Sequence, residues 1–132
     1  MSKDRVPDDV RRFLLTSVPS VPYLEALLLM RAEPHRAWDS FGVAGRLYIG
    51  EGQAQELLGL LKAAGIARED APGRFTYTPA SEDLHRTLEA LAVTYSQNLV
   101  GVTDLIHSRV DKRAHQFAGA FRIRRDGGKE GS

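Results

Sequence analysis

The chain has no cysteine, which excludes thiolate zinc centres, iron–sulfur clusters, dithiol redox chemistry and thiol-protease catalysis. A reducing compartment is compatible with that composition. The longest apolar run is Ala26 to Met30, far short of the roughly 20 residues a bilayer span requires. The opening stretch MSKDRVPDDV is charged and lacks the apolar centre of a signal peptide, so a cytoplasmic location is expected. Neither sign of charge dominates. Eighteen Lys and Arg stand against seventeen Asp and Glu, net +1, without the positive excess of an obvious nucleic-acid binder. There is no GxxxxGK phosphate loop and no GxSxG nucleophile elbow, and Gly50-Glu51-Gly52 is only a fragment of a dinucleotide-binding turn. Nothing points to catalysis, and no cofactor is expected.

What remains fits one domain. A chain of 132 residues, 42% hydrophobic and 27% charged, can bury roughly two thirds of its unfolded surface without cross-links. The near-zero net charge hides an asymmetry: residues 1–104 carry 11 basic and 14 acidic side chains, residues 105–132 carry 7 and 3. In the basic end Arg109, Lys112, Arg113, Arg122, Arg124 and Arg125 are interleaved with Phe117 and Phe121. That pattern suits phosphates, anionic lipid or an acidic partner, and equally a solvated helix end with a frayed tail.

Hydrophobic spacing predicts a mainly helical chain. Asp8 and Asp9 followed by Val10, Phe13 and Leu14 predict a short helix over about 8–15, closed before Pro19. Ser20 is a candidate N-cap with Pro22 in the first turn, and Leu24, Leu27, Leu28 and Met30 make a helix apolar nearly all round, suited to the middle of a core. Pro34 stops it, and His35 to Asp39 reads as a short extended stretch. Ser40 is the candidate cap of a helix carrying Phe41, Val43, Ala44, Leu47 and Tyr48, joined through Gly50 and Gly52 to the clearest helix, 53–64. There Ala54, Leu57, Leu58, Leu61 and Ala64 form one stripe, with Gly65 at the left-handed exit. Ile66 to Arg68 and Phe75 to Thr78 predict a hairpin around a five-residue loop, 69–73. Ser81, Glu82 and Asp83 open a further helix with Leu84, Leu88, Leu91, Ala92 and Tyr95 on one stripe. Asn98 and Gly101 interrupt the pattern before Val102, Leu105, Ile106 and Val110 resume it, so 82–115 is one kinked helix or two. Tyr23, Trp38, Phe41, Tyr48 and Phe75 are expected to fill the core between the helices and the hairpin.

This order (helix, short strand, helix, tight glycine connection, helix, two-stranded hairpin) resembles a winged helix-turn-helix domain. The pieces VPYLEALLLM, SFGVAGRLYI, GQAQELLGLLKAAGI and RFTYTP, from Ser20 to Pro79, are similar in outline to the small bacterial regulators of the MarR and PadR families. With the spacing and composition of the flanks, the chain is expected to divide into four regions: an N-terminal helical extension (1–19), the winged-helix domain that the resemblance implies (20–80), a C-terminal helical arm (81–118) and a basic tail (119–132) whose charged, glycine-rich composition predicts disorder. The resemblance also implies duplex DNA as partner and an appended helix that pairs two subunits. The candidate pairing seam is Leu84, Leu88, Leu91, Tyr95, Val102, Ile106 and Val110; the same stripe suits an arm folded back on its own domain.

The candidate DNA contacts are Gln53, Gln55 and Lys62 on the recognition helix, Arg46 before it, Arg68 and Arg74 on the wing, and Arg122, Arg124 and Arg125 in the tail. Glu51 and Glu56 make the first half of that helix a poor phosphate surface. Two functions from different classes therefore stand open: a DNA-binding transcriptional regulator, and a non-catalytic winged-helix adaptor whose partner is a protein. One constellation invites a metal reading. Asp104, His107, Asp111 and His115 fall on one helical stripe, yet a single straight helix offers at most two ligands to one ion, so a site needs a second set such as Glu82, His85 and Glu89. Surface pairing is the ordinary role of such residues, and no metal is expected.

Overall fold

The computed structural model describes residues 6–108. It is a mainly helical fold with one small antiparallel hairpin, in the order α1 (Asp8–Ser17), α2 (Val21–Ala32), α3 (Ser40–Leu47), α4 (Glu51–Ala63), β1 (Ala67–Ala71), β2 (Arg74–Tyr77) and α5 (Glu82–Gln97). Residues 99–108 form a sixth helical stretch, α6. No single helix among the described residues is long and apolar enough to cross a membrane.

Local chemistry sets most of the boundaries. Ser20 caps α2, its hydroxyl accepting the Tyr23 N–H at 3.3 Å, and Ser81 caps α5 by accepting from Leu84 at 3.1 Å. Each satisfies a donor that the helix itself leaves free. The cap of α3 is Asp39 rather than Ser40: its Oδ1 accepts the Gly42 N–H at 2.8 Å. A carboxylate at that position also answers the helix dipole, and Ser40 is released to donate to Glu51 at 3.3 Å. Helix α4 begins at Glu51, two residues before the expected start, because Gly50 takes the extended N-cap conformation. Past its end Gly65 has φ +77°, a conformation that favours glycine, and a Cβ there would press on that of Ala80 at 3.2 Å.

The hairpin differs from expectation. Its connection is the two residues Pro72 and Gly73, not a five-residue loop, and Glu69, Asp70 and Ala71 belong to β1. Gly73 supplies the positive φ of the turn, while the Glu69 carboxylate accepts its N–H at 2.8 Å and holds the turn from inside the strand. The register pairs Ala67 with Tyr77, Arg68 with Thr76, Glu69 with Phe75 and Ala71 with Arg74, with a shift between Glu69 and Ala71. Beyond the hairpin, Trp38 exchanges two backbone hydrogen bonds with Phe75, 2.7 and 2.8 Å long. The extended stretch after Pro34 thus adds a third, one-residue edge beside β2.

Helix α2 lies at the centre, packed against α3, α4 and β2, and α5 packs on α1. Tyr23, Leu24, Ala26, Leu27 and Met30 are all buried, as a helix apolar nearly all round requires. Leu58 and Leu61 from α4, Val10 and Leu14 from α1, Leu88 and Leu91 from α5 and Val102 and Ile106 from α6 complete one continuous core. The break at Asn98 resolves 82–108 into two helices: Asn98 ends α5, and its side-chain oxygen accepts the Gly101 N–H at 2.9 Å to open α6. Of the five aromatic residues expected in the core, Tyr23 and Trp38 are buried and Phe75 is half-buried, but Phe41 is 76% and Tyr48 93% exposed. For Phe41 the reason is angular: Val43 sets the inward face of α3, and position 41 projects from the opposite side at 100° per residue, while Tyr48 closes the helix in a left-handed conformation with its ring in solvent.

Candidate nucleic-acid interface

The α3–α4 pair is joined by Tyr48, Ile49 and Gly50. Tyr48 closes α3 in the left-handed region, φ 57° and ψ 46°, with its N–H on the Ala44 carbonyl, and Ile49 N–H returns to the same carbonyl at 3.2 Å. That reversal lets α4 leave α3 at once. Helix α4 then buries Ala54, Leu57, Leu58 and Leu61 and turns Glu51, Gln53, Gln55, Glu56, Gly59 and Lys62 outward. Leu60, which the apolar pattern does not single out, is also on this outer surface. Gln53 and Gln55 make no side-chain hydrogen bond among the described residues, so both amides are available to base edges or to a partner.

The β1–β2 hairpin lies against α4, and a cavity of about 240 Å³ beside them is lined by Ser40, Gln55, Leu58, Glu69, Gly73 and Phe75. The charges on α3, α4 and the hairpin are mostly paired. Lys62 Nζ donates to Glu69 at 2.7 Å, Arg68 Nε to Asp70 at 2.7 Å, and Arg46 Nη2 to Glu33 at 3.0 Å. The Lys62 hydrogen bond, helped by the Gly73 N–H, holds the Glu69 carboxyl below the usual carboxylate range. For Asp70 the hydroxyl of Thr76 and then Arg68 do the same, and for Glu33 it is Arg46 and then Arg36. Arg74, exposed beside the turn, has no ion-pair partner among the described residues. Between Glu33 and Tyr77 the chain holds six carboxylates and five Lys or Arg side chains, so the segment is net −1.

The remaining candidates separate by position. Arg46, Gln53, Gln55, Lys62, Arg68 and Arg74 are all exposed on α3, α4 and the hairpin; Arg122, Arg124 and Arg125 lie outside the described residues. Along the arm, Leu88, Leu91, Val102 and Ile106 are wholly buried within the single chain, and Leu84 and Tyr95 are half-buried. Of the two uses open to that stripe, pairing and folding back, the chain's own core takes it. Val110 lies outside the described residues. Apolar exposure on the arm is instead at Val93, Leu99 and Val100. No group of three His, Asp or Glu side chains among the described residues is placed to hold a metal ion. Glu89 of the Glu82, His85, Glu89 set is engaged by Arg31, while Asp111 and His115 lie outside the described residues.

Comparison with known proteins finds no matching family model, no matching curated protein and no matching solved structure.

Proposed function

We propose that this chain is a winged-helix DNA-binding domain that acts as a transcriptional regulator by binding duplex DNA, not by chemistry. The observation that carries this reading is topological. The α3–turn–α4 unit sits beside a hairpin whose inner strand is bridged to Trp38, which is the helix, strand, helix, helix, hairpin order of a winged helix. The outer face of α4 and the tip of the wing are both open on the same chain, with Gln53 and Gln55 for base edges and Arg74 for phosphate. A cytoplasmic setting goes with this reading. Two copies on two half-sites would meet outside the buried arm stripe, where Val93, Leu99 and Val100 are exposed.

The test is a salt titration of duplex binding. Each cation that engages a phosphate contributes about 0.9 to the slope of log affinity against log salt, or roughly 3.5-fold between 50 and 200 mM. Arg74→Gln is expected to remove about one such increment in fluorescence anisotropy with a mixed-sequence duplex. Absence of duplex binding at about 50 mM salt would overturn the proposal.

A second reading, a protein-interaction module, draws on different residues. Phe41 in the first turn of α3 and Tyr48 just past its end both stand exposed. Large aromatic side chains in the open are the usual anchors of protein interfaces. Retained duplex binding in Phe41→Ala/Tyr48→Ala would separate the two surfaces.

A further inference from the structure

Where α2 ends, two arginines converge on one carboxylate and one indole. Glu33, the C-cap residue of α2, accepts from Arg36 Nη1 at 3.4 Å on one oxygen and from Arg46 Nη2 at 3.0 Å on the other. The Arg36 guanidinium carbon lies 3.8 Å from the centroid of the Trp38 ring, and that of Arg46 lies 5.4 Å from it. Trp38 itself is buried in the core and fixed by its backbone pairing with Phe75. The two guanidiniums, from a loop and from the last turn of α3, are therefore positioned before any ligand arrives.

The cluster is under-neutralised. Two positive groups share one carboxylate, and Asp39, the other acidic residue between positions 33 and 46, is committed to the cap of α3. A guanidinium carries five N–H donors in a planar fork. One from each arginine reaches Glu33, and neither makes another side-chain contact with a carboxylate among the described residues. Stacking on an aromatic face while a fork stays free is the arrangement in which arginine takes a tetrahedral oxyanion. Pre-ordering by the indole removes part of the entropy such a contact would otherwise cost.

We propose that Arg36 and Arg46, held on Trp38, form a binding site for a phosphate group, and that Glu33 is the resident stand-in that phosphate displaces. The site does not rest on the duplex reading, since the phosphate can arrive free or as part of a nucleic-acid backbone. Trp38 is the only tryptophan in the chain, so its emission reports on this cluster alone. The full chain is titrated with inorganic phosphate against sodium chloride of equal ionic strength, and separately with a mixed-sequence duplex. A saturable change in Trp38 emission is expected. Saturation by inorganic phosphate identifies a free phosphate site, and saturation by duplex alone identifies a backbone contact.

In Glu33→Gln the midpoint is expected to tighten about fivefold, in line with the loss of a competing exposed ion pair, while Asp83→Asn leaves it unchanged. The variant Arg36→Gln/Arg46→Gln is expected to abolish saturation with its far-UV circular dichroism intact. Arg46→Lys keeps the charge, loses the fork and weakens binding several-fold. No saturable change with either titrant, a response that survives the double substitution, or weaker binding in Glu33→Gln would overturn the proposal.

Discussion

Arg31 and Glu89 join the central helix to the arm across 58 positions of sequence. Two parallel hydrogen bonds connect them, Nε to Oε2 at 2.9 Å and Nη2 to Oε1 at 2.6 Å, with side chains 27% and 41% exposed. Coulomb attraction at about 4 Å is worth roughly 1 kcal/mol in water and about 4 at the effective dielectric of a protein surface. Desolvation and the ordering of two long side chains oppose it, and exposure of this degree brings the net to about 1 kcal/mol. The bidentate geometry keeps it from vanishing. A double-mutant cycle over Arg31→Gln and Glu89→Gln, read by urea unfolding at pH 7 and low salt, is expected to return a coupling of about 1 kcal/mol. The pH dependence fixes its origin. The hydrogen bond from Arg31 chiefly lowers the Glu89 pKa in the folded chain. A carboxyl depressed on folding contributes fully above its unfolded value, about 4.3, and loses the contribution as pH falls through the folded value. Coupling should hold from pH 8 to pH 5 and fade below. A coupling under about 0.3 kcal/mol at pH 7, or one unchanged in strong acid, would refute the reasoning.

Three further substitutions test the fold. The Tyr77 hydroxyl is buried without a hydrogen-bond partner among the described residues and its pKa is pushed up to about 12, first by burial and then by Glu89; Tyr77→Phe is expected to be neutral or stabilising by up to ~1 kcal/mol in denaturant unfolding, and a loss above 1 kcal/mol would contradict the unpaired hydroxyl. Leu58, fully buried between α4 and the rest of the core, is expected to lose about 3 kcal/mol on Leu58→Ala, and a loss under about 1 kcal/mol would show that the site collapses around the missing methyls. Tyr48 holds a left-handed backbone with its ring in solvent, so Tyr48→Gly should raise stability by ~1 kcal/mol in thermal unfolding; a lower Tm would mean that the ring contributes to the fold.

Much of this fold was legible in the sequence because its signals are short-range. Ser20 and Ser81 announce their helices by side-chain chemistry three residues ahead, and Gly65 marks an exit that glycine enters without penalty. Such signals stop at the element. The pairings Arg46–Glu33 and Lys62–Glu69 join different elements, so the candidate cations could be named from sequence but not their ion-pair partners. The two-residue turn was hidden because Glu69-Asp70-Ala71 has loop composition, and its strand character depends on the Glu69 side chain reaching Gly73. Whether Leu88, Leu91, Val102 and Ile106 face a partner or their own core was open for a similar reason, since apolar periodicity marks the face that is covered without naming the cover. Phe41 and Tyr48 were misplaced by composition: an aromatic side chain on a short helix reads as core unless the inward face is fixed first by a residue such as Val43.

Phe75 is held from both edges, paired with Glu69 on one side and with Trp38 on the other. The hairpin extends only from Asp70 to Arg74 beyond that double clamp. It is a short spur tied by the Glu69–Gly73 and Thr76–Asp70 hydrogen bonds, so much of its ordering entropy is lost when the chain folds. Any partner that meets it does so as a docking of fixed shapes, with an association rate set by diffusion and orientation and little induced ordering of the spur itself.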